Sequence, residues 1–391
     1  MIDEEKVIYL DNNATTRVAP EAVQAMRPYF TEYYGNASSI YRFGGRLAKV
    51  VEEGRAKVAG FLGADPSEVI FTSCGTEGDS SAILSAVNVM PNRRKIVIST
   101  VEHPAVLNLG KELERKGYRV SRIPVDSFGR LDLERAKAMI DEDTAIVSVM
   151  WANNETGNIY PVAQLGEMAH SAGALFHTDA VQAAGKIPFH LHDLPMIDML
   201  SVSGHKFHSP KGIGALYVRR GVHFHPFVVG GHQERGRRAG TENVPYIVGM
   251  GVAAELALAH LNEENTRVKA LRDDLQNRLL AAIPDVRING DVEHRLPNTT
   301  NISFEYIEGE SILMHMDLYG ICASSGSACT TGSLEPSHVL RAMGVPYTAA
   351  HGAIRFSLSR YSKQEEIDKV VEVMPGIISK IRAISPYWNK K

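Results

Sequence analysis

Cysteine is scarce: the 391 residues contain three, Cys74, Cys322 and Cys329, with no C-x-x-C spacing. That excludes a disulfide scaffold and fits a reducing compartment. An excess of one charge is missing too. Basic residues number 42 and acidic residues 45, a formal net charge of −3, so there is no footprint for a dedicated nucleic-acid binder and no nucleic-acid partner is expected. No apolar run reaches the roughly 18 residues of a membrane span. Residues 1–6 are polar and acidic rather than the apolar core of a signal segment. A cytoplasmic protein without a membrane partner is the expectation. Repeats and low-complexity tracts are also lacking. With 44% hydrophobic and 22% charged residues, disorder as the main state is excluded, and the length suggests about two domains.

What is present alternates. β-rich runs at 69–72, 95–99, 119–125, 145–150, 174–178, 196–202 and 213–218 are interleaved with helical stretches at 75–89, 104–116, 132–141 and 161–172. Such alternation predicts right-handed βαβ units and a largely parallel sheet. A long helical pattern then runs from Pro245 to about residue 283, with Val268, Leu271, Leu275 and Leu279 on one face. Unbroken, it would reach roughly 55 Å and bridge two domains. Beyond it, strands at 286–289, 300–304 and 353–359 and helices at 308–318, 336–343 and 364–383 read as a smaller α+β domain.

Ligands of parallel sheets bind beyond the strands' carboxyl ends, so residues there carry the argument. Lys206 leaves an apolar strand through Ser203-Gly-His-Lys206. Desolvation there would make its amine nucleophilic, although an ordinary loop lysine fits the same segment. Asp179 ends the preceding strand. Its carboxylate suits the ring nitrogen of pyridoxal phosphate, and equally a helix N-cap. The turn Thr72-Ser-Cys-Gly-Thr-Glu77 opens a helix with free N–H groups and hydroxyls, a phosphate seat, as any capped helix can be. A phosphate seat, an Asp and a Lys in this order resemble fold-type I pyridoxal-phosphate enzymes.

The likeness then becomes specific. Tyr9-Leu-Asp-Asn-Asn-Ala-Thr-Thr16, Val101-Glu-His-Pro-Ala-Val106, Ala152-Asn-Asn-Glu-Thr-Gly157, Ser203-Gly-His-Lys206, Arg238-Ala-Gly-Thr-Glu-Asn243 and Ser325-Gly-Ser-Ala-Cys329 resemble motifs of the cysteine desulfurases of NifS/IscS type, within the class V aminotransferase fold. The Asn12-Asn13 opening and residues 323–335 look closer to nitrogenase-type NifS than to housekeeping IscS. The resemblance implies an α/β protein of the pyridoxal-phosphate transferase fold type I. Residues 15–260 would form a large domain with a mainly parallel seven-stranded sheet. Residues 1–14 and 261–391 would form a small domain carrying a cysteine loop at about 323–333.

The resemblance also implies roles. Lys206 would hold the cofactor through its amine, and His103 would stack on the ring. Asp179 would pair with the ring nitrogen and Gln182 with the phenolic oxygen. Gly75, Thr76, Ser203 and His205 would bind the phosphate. Thr241 would reach the phosphate of the neighbouring subunit, which makes the active unit a homodimer. Asn154 and Arg355 would hold the carboxylate of L-cysteine. No metal is expected at this site, although Cys329 could touch a nascent iron–sulfur cluster. Cys329 sits among small residues, a poor anchor for a core, and would take sulfur as a persulfide and pass it to an iron–sulfur scaffold protein of NifU/IscU type. The rival readings are a selenocysteine lyase or another class V aminotransferase, and a sulfur-relay scaffold without turnover.

Two positions depart from the family pattern: Cys74 stands where glycine is usual, and Tyr41 where histidine is common. The pairs His190/His192 and His223/His225 read as solvated loop histidines rather than metal ligands.

Overall fold

The computed structural model describes residues 7–325 and 335–388. Thirteen strands are formed: β1 Ile8–Tyr9, β2 Val69–Thr72, β3 Lys95–Ser99, β4 Arg119–Ile123, β5 Thr144–Ser148, β6 Leu175–Asp179, β7 Met199–Ser203, β8 Gly214–Val218, β9 Val286–Ile288, β10 Thr299–Phe304, β11 Ile321–Cys322, β12 Ser324–Ser325 and β13 Ala353–Ser357. Seven of them make one sheet in the order β2-β8-β7-β6-β5-β3-β4. Only β8 runs against its neighbours. β2, β3, β5, β7 and β8 are buried at every residue, as strands covered on both faces must be. β4, at the edge, keeps Arg119 exposed and Arg122 half-exposed, charges that discourage further pairing.

The helix Gly75–Val89 lies close against this sheet. A Cβ on Gly75 would stand 2.7 Å from Val181 Cγ2, and one on Gly78 2.8 Å from Ser201 Oγ. The missing side chains therefore let the start of this helix reach the ends of the central strands.

A second sheet, β12-β13-β10-β9, is antiparallel throughout. Here the N-terminal segment is woven in. β1 pairs with β11 in parallel, and Asn12 N donates to Ser357 O at 3.1 Å. This carries residues 11–14 from the second sheet to the carboxyl ends of the first.

The long helix expected from Pro245 to residue 283 is not straight. It is two pieces, Val244–Ala259 and Leu261–Ala282, bent by 53°, and the second contains a π-helical turn at Glu264–Val268. The bend has a packing cause. Met250, Ala253, Ala254 and Ala257 join the core around the large sheet, whereas Val268, Leu271, Leu275 and Leu279 join a core with Ile302, Phe356 and Ile378. The first piece thus serves one core and the Val268–Leu279 stripe of the second piece serves another. Among the described residues no single helix is long and apolar enough to cross a membrane.

Candidate active site

Ten of the sequence-predicted site residues meet around one cavity of about 360 Å³: Lys206, His103, Asp179, Gln182, Gly75, Thr76, Ser203, His205, Asn154 and Arg355. Thr241 does not. It is exposed and stands outside this cavity's lining in its own chain. Cys329 lies outside the described residues.

The groups of the large sheet follow its strand ends. After β2, Cys74 is the N-cap of the helix Gly75–Val89 and provides no side-chain cap, so N–H groups at the helix start stay free for an anion. Asp179 closes β6. One carboxylate oxygen accepts from Val181 N at 2.9 Å, the turn-capping bond that the bland reading required, yet the carboxyl also lines the cavity. Burial pushes it up to about 6, against the Val181 bond and the Lys206 charge.

Lys206 follows β7 on a single 3-10 turn. Its Nζ donates to the carbonyls of Asn13 at 2.7 Å and Ala14 at 2.6 Å. Burial brings this amine down to about 7, with the nearby charges of Lys186 and Arg355 acting in the same direction. Its neighbour His205 lies against Thr15 Oγ1 at 3.1 Å and is held down to about 4 by burial, then by Lys206. His103 caps the helix Pro104–Arg115, its Nδ1 accepting from Ala105 N. Desolvation first, and the Lys206 charge second, lower its pKa. Burial thus shifts Lys206 and His103 towards their neutral, basic forms, beside a buried carboxyl.

Arg355 comes from the middle of β13, opposite Asn301 on one side and Ser324 on the other. Its terminal nitrogens donate to Asp11 at 2.7 Å and to Asn154 O at 2.9 Å. Asp11, which holds Arg355, and Asn13, whose carbonyl accepts from Lys206, were given no role by sequence reasoning, although both belong to the opening motif. Lys186, buried beside Gln182, carried no sequence signal at all.

Outside the cavity, Asp65, Glu68 and His192 bring donor atoms within 4.8 Å of one another. Glu68 already accepts from Arg220 N and Asp65 N, and Asp65 pairs with Arg220 at 2.7 Å. These carboxylates are engaged within the protein.

The model of the aminotransferase class-V family matches residues 8–370. The chain belongs to the class-V aminotransferase family. A cysteine desulfurase of Nostoc sp. is 60% identical over 383 residues, which is 98% of this chain and 96% of that protein. The cysteine desulfurase NifS of Azotobacter vinelandii is 57% identical over 98% of this chain and 95% of its own length. A solved NifS-like protein superposes with a TM-score of 0.90 at 41% identity, covering 96% of this chain and 100% of that one.

The family's cofactor is pyridoxal 5'-phosphate, and the cavity suits it. An uncapped helix start faces where a phosphate would sit, buried Asp179 matches a protonated ring nitrogen, and Lys206 presents an amine for the aldehyde. As a class V fold the architecture agrees with expectation: a mainly parallel seven-stranded sheet with its ligand groups at strand ends.

Proposed function

We propose that the protein is a cysteine desulfurase that converts L-cysteine to L-alanine and holds the sulfur as a persulfide on Cys329. The observation that carries this reading is the convergence of Lys206, Asp179, His103 and Arg355 on one cavity. The naming of relatives 57–60% identical over nearly the whole chain supports it.

Pyridoxal phosphate, when bound, supplies an electron sink for negative charge at the substrate Cα. The chain's own groups do the rest. Gly75, Thr76, Ser203 and His205 seat the phosphate. Asp179 would hold the proton of the ring nitrogen, and Gln182 would serve the phenolic oxygen. Arg355 and Asn154 orient the substrate carboxylate, with Asp11 keeping the guanidinium in place until substrate arrives. Lys206, neutral above about pH 7, takes the Cα proton. The Cys329 thiolate attacks the substrate sulfur. An S–S bond forms, the Cβ–S bond breaks, and its electron pair stays with the carbon. His103 moves a proton to or from sulfur, and protonation of the carbon completes alanine. In sum, L-cysteine and the Cys329 thiol give L-alanine and the Cys329 persulfide, with no external oxidant or reductant.

The acceptor we propose is an iron–sulfur scaffold protein in the cytoplasm, in the service of nitrogenase-type cluster assembly. A homodimer is part of the same reading. Ile40, Tyr34 and Val229 are exposed apolar side chains, and exposed Thr241 would serve the partner's phosphate. The test is incubation of the purified protein with L-cysteine and dithiothreitol, wild type beside Cys329→Ala. Equal sulfide and alanine from wild type, with sulfide lost in the variant, is the expected result. Pyruvate, or sulfide undiminished in Cys329→Ala, would overturn it.

A further inference from the structure

Behind Gln182 of the cavity wall lies a second buried amine. Lys186 is 5% exposed. Its Nζ donates to Gln182 Oε1 at 3.0 Å and to Gln182 O at 3.3 Å. Gln182 Nε2 in turn donates to Asn13 O at 2.9 Å, the carbonyl that also accepts from Lys206 Nζ at 2.7 Å. A continuous chain of hydrogen bonds therefore joins Lys186, Gln182, Asn13 and Lys206. Both amines line a second, smaller cleft with Glu264 and Arg360.

The wall behind Lys186 is the π-helical turn Glu264–Val268. Asn265 there donates to Lys186 O at 2.9 Å and to Leu261 O at 2.8 Å. Such turns interrupt helices most often at functional sites. Glu264, in the same turn, is buried. One of its oxygens accepts from Arg360 N at 3.2 Å, and the other has no hydrogen-bond partner among the described residues. A buried ammonium is costly, and this one spends its donors on Gln182.

We propose that Lys186 is a positioning residue for the reaction: it locks the Gln182 amide at the cavity wall and places a second buried amine on the hydrogen-bond chain that holds Lys206. With Oε1 held by Lys186 and one N–H by Asn13, Gln182 has its second N–H to offer an acceptor in the cavity. The charged and titratable groups around Lys206 are Lys186, Arg355, Asp179, Asp11, His103 and His205. Those around Lys186 include Glu264, Arg355, His208, His260 and Arg360. Burial is the largest cause of the low Lys206 value, and Lys186 comes next, ahead of Arg355. Lys186 is itself brought down to about 8 by burial, opposed by Glu264, and so is mostly charged at pH 7.

The inference rests on the desulfurase reading only in taking Lys206 as the reacting amine. Its test uses full-length, cofactor-loaded protein with Lys186→Met and Lys186→Arg, and none of its readouts is turnover of L-cysteine. One is the pH midpoint of the bound cofactor's visible absorption. The other, after removal of the cofactor, is the pH midpoint for acetylation of Lys206 by acetic anhydride, read by peptide mass spectrometry. Lys186→Met should raise both midpoints by about one unit or more and weaken cofactor retention roughly fivefold. Lys186→Arg keeps the charge and should leave the midpoints within about 0.3 unit.

Unmoved midpoints in Lys186→Met, or an equal rise in both variants, would overturn the proposal. If Lys186→Met strands Glu264 and fails to fold, the double variant Lys186→Met/Glu264→Gln removes both ionisable groups and carries the same expectation. Shifted midpoints in a protein that releases no sulfide would sink the desulfurase reading and leave this one standing. Unmoved midpoints in an active desulfurase would do the reverse.

Discussion

The seven-stranded sheet hands over its reactive groups where strands stop, whereas β13 of the four-stranded sheet offers Arg355 from mid-strand. At a strand end the backbone is released into a turn, so helix N–H groups and side chains can share one cavity and be desolvated by it. Asp179, Lys206 and His205 owe their shifted proton affinities first to that burial. Arg355 is pinned by strand register, by Asp11 and by Asn154 O. One sheet therefore supplies groups that exchange protons, and the other a fixed charge in a fixed place.

Substitutions can break that division. Lys206→Ala should abolish sulfide release, by at least about a thousandfold, with the fold retained by circular dichroism. Arg355→Lys should act mainly on binding, because the ammonium lacks the planar fork. We expect KM for L-cysteine to rise about tenfold or more with kcat less affected. Equal falls in kcat and kcat/KM would place Arg355 in the chemical step rather than in binding and erase the contrast.

Stability measurements sharpen it. Ser337, the N-cap of the helix His338–Ala342, donates to buried Glu155, whose carboxyl is pushed up to about 7 by burial. Ser337→Ala should cost about 1–2 kcal/mol in urea unfolding, through the lost cap and an orphaned carboxyl. Glu102, buried behind β3 and accepting from Ser99 Oγ and Met150 N, is pushed up to about 8 by burial. The folded chain then binds this proton more tightly than the unfolded chain. Its contribution is full below about 4.5 and is lost as pH rises towards 8. Glu102→Gln should therefore flatten the fall in stability across that window, read as urea midpoints at a series of pH values. The smallest effect is expected at the rim, where Arg122 pairs with Glu114 at 2.8 Å and both are partly exposed. Arg122→Ala should cost less than about 1 kcal/mol, and less again in high salt.

Much of this was legible in the chain itself. The β-runs of the large sheet stood out because each is a short apolar run bounded by turn residues. Lys206, Asp179 and the Gly75 turn stood out because each directly follows such a run. The strands Ile8–Tyr9, Ile321–Cys322 and Ser324–Ser325 were not legible, since two residues carry no periodicity and exist only through their partners. The 53° bend near His260 was hidden because the segments before and after it both read as apolar helix, whether they face one core or two. Asp11 and Asn13 act across separations of 344 and 193 residues, and Lys186 acts through a side chain whose burial only tertiary packing creates. Thr241 lies away from its own chain's cavity, so one chain alone does not reveal its service.

The two residues that moor the segment containing Cys329 have a kinetic consequence. Ser325 is paired with Ile354, next to Arg355, and Ser337 is bonded to Glu155, next to Asn154. The segment is thus anchored at both ends beside the two groups proposed to hold the substrate carboxylate. On the proposal that Cys329 takes the sulfur, its thiol would act as an intramolecular reagent, at an effective concentration on the order of millimolar or above. An added small thiol would have to reach that concentration before it could stand in for Cys329 in a Cys329→Gly enzyme, and sulfur uptake by the intact enzyme should not depend on how dilute the protein is.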